Sequence, residues 1–196
     1  MRVPGEFNRP SGERIATGIR AAIDMVGESA DREGLRDTPD RWRRAFEEMT
    51  AGYKDDPKKI LSVAFASPLY DEMIVLAGIT FTSLCEHHLL PFTGTADVGY
   101  IGDGYRVVGL SKLARLVECY SRRLQIQERM TIQITSALGD YLKVKGAACI
   151  IRAEHSCMAC RGVKKPGAEM ITSSMTGIFA KKAHAKAEFM ELCRRR

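Results

Sequence analysis

Apolar residues first recur at helical spacing. Ile15, Ile19, Ile23 and Val26 fall on one stripe, which predicts an amphipathic helix over residues 11–27. The polar run ESADREGLRD ends it. Thr38 then reads as an N-cap with Pro39 at the first helical position, and Trp42, Phe46 and Met49 share one face of a helix reaching about Gly52. The pattern changes after that. Residues 73–83 and 92–101 are rich in Val, Ile, Thr and aromatics and predict two strands. Gly102-Asp103-Gly104 marks a turn. Ser111 reads as the cap of a helix that turns Leu113, Leu116, Val117 and Tyr120 inward. A second helix, over residues 127–142, buries Met130, Ile134, Leu138 and Tyr141 or their neighbours. Strands follow at 147–153 and 170–176, and a last helix spans 182–193.

Paired strands with helices between the pairs predict an α+β fold whose four-stranded sheet is antiparallel, not a doubly wound parallel one. N-terminal helices and a C-terminal helix complete the plan. Residues 1–55 read as an N-terminal helical region and 56–196 as the main domain. A four-stranded sheet has two edges, which invite edge-to-edge assembly between subunits.

Composition narrows the class. The 196 residues are 45% hydrophobic and 28% charged, ordinary for a soluble globular protein. No apolar run approaches the ~20 residues of a membrane-spanning helix. MRVPGEFNRPSGER lacks the apolar centre of a signal peptide, so a cytoplasmic protein with no membrane partner is expected. A net charge of +6 suggests an anionic partner, either nucleic acid or a polyphosphate.

The candidate chemistry lies in two short segments, which hold three of the four histidines and three of the six cysteines. Cys85 and His88 stand three apart with His87 between them; Cys157 and Cys160 stand three apart with His155 just before. Thiolates and imidazoles in strand-end loops suit tetrahedral zinc. Spacing alone weighs Cys157 and Cys160 equally. A closed structural site would make the chain a zinc knuckle on nucleic acid, but compact knuckles separate their ligand pairs by roughly 12–20 residues. Here two whole helices intervene. An open site would hold a water whose pKa the metal lowers toward ~7, with the unused histidines moving protons.

The blocks CEHHLLPFTG, VGLSKLARLVE, QIQERMTIQI and EHSCMACRGVKKPGAEMITSSMTG resemble the GTP cyclohydrolase type I family over residues 38–179. The resemblance implies that Cys85, His88 and Cys157 hold zinc, with water in the open position, and that Cys160 is not a ligand. It implies attack on C8 of GTP, loss of that carbon as formate, and rearrangement to 7,8-dihydroneopterin triphosphate. His155 would protonate the purine nitrogen that leaves C8, and His87 would assist ribose opening. Glu128 would anchor guanine by accepting its paired N–H groups, with Gln127 beside it. Ser111, Lys112, Arg115, Arg161 and Arg41 would contact the triphosphate, as would Arg44 where lysine is common. The family fold is the tunnelling fold, which assembles as a decamer of two pentameric rings and has no nucleic-acid partner.

Other residues carry plainer readings. Cys119, Cys149 and Cys193 sit among apolar neighbours and are expected in the core. His184 is expected in solvent, and Arg194-Arg195-Arg196 as a solvated tail. Two competing functions remain: a zinc-dependent nucleic-acid module, disfavoured because no aromatics interleave with the basic residues, and a tunnelling-fold enzyme with a cysteine nucleophile.

Overall fold

A computed structural model of the chain describes residues 12–194, apart from the side chains of residues 66–69 and 105–106. The expected helix start at Ser11, the ten residues before it, and Arg195 and Arg196 of the tail lie outside the described residues. Two compact units divide between Glu48 and Met49.

The first unit holds helices α1 (Gly12–Met25) and α2 (Thr38–Met49). Ile15, Ile19 and Ile23 form the half-buried stripe of α1, whereas Val26 lies past its end and is exposed. In α2, Trp42 and Phe46 are one turn apart and stack with ring centroids 4.9 Å apart. Thr38 is itself helical, not the flanking cap; the Arg41 N–H bonds back to the Asp37 carbonyl.

The second unit begins with a 3₁₀ turn (Ala51–Lys54) and the short helix α3 (Pro57–Ser62), whose first turn is capped by the Asp56 carboxylate. The four expected strands are present as β2 (Met73–Cys85), β3 (Pro91–Ile101), β6 (Gly146–His155) and β7 (Glu169–Met175). All three pairings among them are antiparallel, with β3 against β6 at the centre. The sheet nonetheless has five strands, not four. β5 (Leu124–Gln125), two residues long, adds to the far side of β2 and runs parallel to it. No periodicity can reveal so short a segment. A separate two-stranded ribbon also forms, from β1 (Ala64–Tyr70) and β4 (Gly104–Val108). The proline at 68 and the small residues of AFASPLY hide β1 in the sequence.

Helices α4 (Leu110–Ser121) and α5 (Gln127–Ala137) lie between the strand pairs, as expected. Gly109, not Ser111, is the N-cap of α4, and Ser111 sits exposed in its first turn. After Ala137 the chain continues as a π-helical turn to Leu142. That extra residue per turn moves the register, so of the expected pair it is the neighbour Leu142 that is buried, and Tyr141 is exposed. α4 and α5 cover one sheet face. Val98, Tyr100, Leu116, Val117, Met130, Ile134 and Cys149 are fully buried there.

The other face is partly covered by the C-terminal helices, α7 (Ile178–Lys181) and α8 (Ala183–Leu192), which follow the four-residue α6 (Ser156–Ala159) and β7. Phe189 lies directly on Gly99, where a Cβ would come within 2.8 Å of the ring, and meets Phe179 edge to face. Asp97 is wholly buried on this face, paired with Arg152 and accepting the Gly78 N–H at 2.7 Å. Cys119, Cys149 and Cys193 are buried, and His184 is exposed. No described helix is long and apolar enough to cross a membrane.

Phe189→Ala removes the ring that seals the second core and leaves a cavity over Gly99. The expected cost is about 3–5 kcal/mol, read as a lowered urea midpoint at unchanged slope.

Candidate metal centre and active site

β2 ends at Cys85 and the chain turns at once. The Cys85 carbonyl accepts the N–H groups of His88 and Leu89, at 3.3 and 2.8 Å, while the Cys85 N–H reaches the Leu90 carbonyl at 2.9 Å. Leu89 takes the left-handed conformation, φ 55°, that closes the turn. A Leu held there is strained, and the closed hydrogen-bonded ring sustains it. The result is a tight loop in which His87 and His88 both stand outward and exposed.

Register brings the second segment alongside. Phe92, at the start of β3, pairs with His155 at the end of β6, so the α6 loop begins where the Cys85 loop returns. Cys85 Sγ, a ring nitrogen of His88 and Cys157 Sγ lie within 4.8 Å of one another, the one such group among the described residues. Cys85 Sγ to His88 Nδ1 is 3.9 Å. Ligands of a tetrahedral zinc stand about 3.5–3.8 Å apart, so the set fits such an ion with little movement. His87 Nδ1 is 4.0 Å from the same sulfur but does not complete the trio. Cys160, weighted equally by spacing, lies outside it and is exposed. Burial, and then the Cys85 thiol, push the Cys157 thiol up, while Arg161 acts the other way. A thiol held protonated beside a second sulfur is what a divalent cation would relieve.

His155 is half-buried and stacks flat on Phe92, centroids 4.5 Å apart and 3° from parallel. Its Nε2 lies 2.8 Å from Gln127 Oε1. Burial lowers its pKa and Glu128 opposes that shift.

A third segment ties these together. β5 pairs Gln125 with Cys85, and the Gln125 carbonyl accepts the Glu86 N–H at 3.0 Å. Arg129, in the first turn of α5, forms an ion pair with the Glu86 carboxylate, donates to Gln125 Oε1 at 3.1 Å and to the Leu124 carbonyl at 3.0 Å. The Arg129 hydrogen bond holds the Glu86 carboxyl below its ordinary range. Sequence reading passed over Arg129, Glu86 and Phe92. The only signal was their place inside matching blocks, because an ion pair across 43 residues has no periodicity.

The remaining expected contacts are distributed as follows. Glu128 is exposed in the first turn of α5, where a carboxylate suits the helix dipole. Gln127 is not exposed beside it but buried, with its amide bonded to protein atoms. Ser111 and Arg115 are exposed and Lys112 half-buried in the first turns of α4, whose N-cap offers no side chain. Arg161 is exposed in the loop after α6. Arg41 and Arg44 belong to the first unit, where they pair with Asp37 and Asp40 on α2.

Comparison with known proteins agrees along nearly the whole chain. Residues 15–194 match the model of the family described as GTP cyclohydrolase I. A protein of Wolinella succinogenes named GTP cyclohydrolase 1 is 48% identical over 172 residues, 88% of this chain and 91% of that one. Proteins of the same name from Dehalococcoides mccartyi and Carboxydothermus hydrogenoformans are each 47% identical over 92% of this chain, covering 95% and 93% of their own lengths.

Arg129→Leu leaves Glu86 unpaired and frees the Cys85 loop from α5. Binding of cobalt(II), followed by its thiolate charge-transfer band, is expected to weaken about 10- to 100-fold. Arg129→Lys, which keeps the charge but loses the fork, is expected to fall between.

Proposed function

The chain belongs to the GTP cyclohydrolase I family, and on that premise we propose that this site hydrolyses GTP and rearranges it to 7,8-dihydroneopterin triphosphate and formate. The observation that carries the reading is the meeting of Cys85, His88 and Cys157 from two distant loops, with His155, two residues before Cys157, stacked on Phe92.

Cys85, His88 and Cys157 would hold zinc, which suits two thiolates and an imidazole at these separations and would supply Lewis-acid activation of a water. The chain's own residues do the rest. His155 gives a proton to the purine nitrogen as its bond to C8 breaks. A ring whose charged form is disfavoured by burial yields that proton readily. His87, exposed at the tip of the loop, assists ribose opening and later proton transfers. Glu128 accepts the N1 and 2-amino N–H groups of guanine as a pair. Its exposure on α5 leaves both oxygens available.

The triphosphate is assigned to Ser111, Lys112, Arg115 and Arg161, together with Arg41 and Arg44. Two cations in the first turns of α4 oppose the helix dipole on their own, and an anion beside them restores the balance. The net charge of +6 suits the same ligand. For the assembly we propose the tunnelling-fold arrangement, in which β7 and the opposite edge pair between subunits as pentameric rings and two rings form a decamer.

The zinc-loaded protein given GTP is expected to release formate and a product that becomes a fluorescent pterin on oxidation. Neither product under metal-replete conditions would sink the reading. Cys85→Ala and Cys157→Ala are expected to lose both zinc and turnover. His155→Ala should lose about 10²–10⁴ in turnover with zinc retained, and loss of zinc there would make His155 a ligand instead. Glu128→Gln should raise the KM for GTP more than it lowers kcat.

A further inference from the structure

Gln127 is 1% exposed, and every atom of its amide is committed. Its Nε2 lies 3.1 Å from the Ile151 carbonyl, 3.0 Å from the Met170 carbonyl and 3.1 Å from Thr172 Oγ1. Two of those are backbone carbonyls, which only accept. Turning the amide over would set its oxygen against both, so Nε2 must face the strands and Oε1 must face His155.

The surrounding hydroxyls agree. Thr131 gives its one proton to the Gln127 backbone carbonyl at 2.7 Å. The 2.7 Å contact between Thr131 and Thr172 then needs Thr172 as donor, which leaves Thr172 Oγ1 to accept from Gln127. These bonds run in one direction only, from Nε2 through Thr172 and Thr131 to the Gln127 backbone carbonyl, and leave Oε1 facing His155. That oxygen cannot donate, so the ring nitrogen 2.8 Å away must carry the hydrogen.

We propose that Gln127 is a positioning residue that fixes the tautomer of His155, holding a hydrogen on Nε2 and leaving Nδ1 as the nitrogen that exchanges a proton with the substrate. The bond to Gln127 is the same whether the ring is neutral or charged, because Nε2 keeps its hydrogen in both. The imidazolium gives its Nδ1 proton to the departing purine nitrogen. An Nδ1 lone pair remains, and nothing in the network rearranges. Phe92 fixes the plane of the ring and Gln127 its rotation within that plane. Gln127 is accordingly no substrate contact. This inference rests on His155 being the acid–base group of the proposed reaction.

The test begins with the unaltered, zinc-loaded protein carrying nitrogen-15 histidine. His155 is identified by the signals missing from His155→Gln. Long-range nitrogen–proton correlation of the neutral ring is expected to show hydrogen on Nε2; hydrogen on Nδ1 would overturn the proposal. This arm needs no folded Gln127 variant. Gln127→Met should then lower kcat about tenfold or more, with KM for GTP within about twofold and zinc content unchanged. A raised KM at unchanged kcat would put Gln127 on the substrate and overturn it equally. Full turnover by His155→Ala would defeat the acid–base reading alone, leaving the tautomer result to stand or fall on the spectrum.

Discussion

The site depends on strand register. β2 ends at Cys85, β3 starts at Pro91 and β6 ends at His155, and antiparallel pairing brings these three ends into one line. A one-residue slip of β6 would turn His155 to the opposite sheet face, away from Gln127. The core guards against that slip. Ala147, Cys149, Ile151 and Ala153 face α4 and α5, while Ala148 and Ile150 face the C-terminal helices, so both faces are specified. Packing far from the chemistry therefore sets distances within it.

α5 turns that alignment into a working constellation. Three consecutive residues of its first turn point to three different tasks. Gln127 reaches inward to His155, Glu128 stands in solvent, and Arg129 clamps the carboxylate beside Cys85. A helix rotates successive side chains by about 100°, so a tripeptide can address three directions at fixed mutual angles. Rows of hydroxyls, Thr131 to Thr172 and Thr135 to Ser174, fasten the same helix to β7 along its length.

Much of this was legible in the chain. Residues that alternate or recur with a period declare themselves, so the four main strands and the helices at 110–121 and 127–137 were read close to their true limits. The clustering of histidine and cysteine marked the metal segments. Spacing could not separate Cys157 from Cys160, because the choice lies in which sulfur faces Cys85. Nor could it find β5, whose two residues are strand only because Leu84 and Cys85 lie beside them. The π turn after Ala137 escaped for a similar reason: a single added residue shifts burial from Tyr141 to Leu142 without disturbing the pattern before it. Nor does spacing show that the amide of Gln127, expected beside Glu128 on the substrate, is enclosed by protein atoms.

A strand of two residues has almost no cohesion of its own. What steadies β5 is Arg123, immediately upstream. Its guanidinium lies over the rings of Tyr53 and Tyr120, and it bonds to the carbonyls of Cys119 and Asp55. The Tyr53 hydroxyl accepts the Leu124 N–H at 3.2 Å. The 3₁₀ turn at 51–54, which carries no chemistry, thus serves as the abutment against which the Cys85 loop is braced. Wear at that footing would be felt as looseness in the spacing of Cys85, His88 and Cys157.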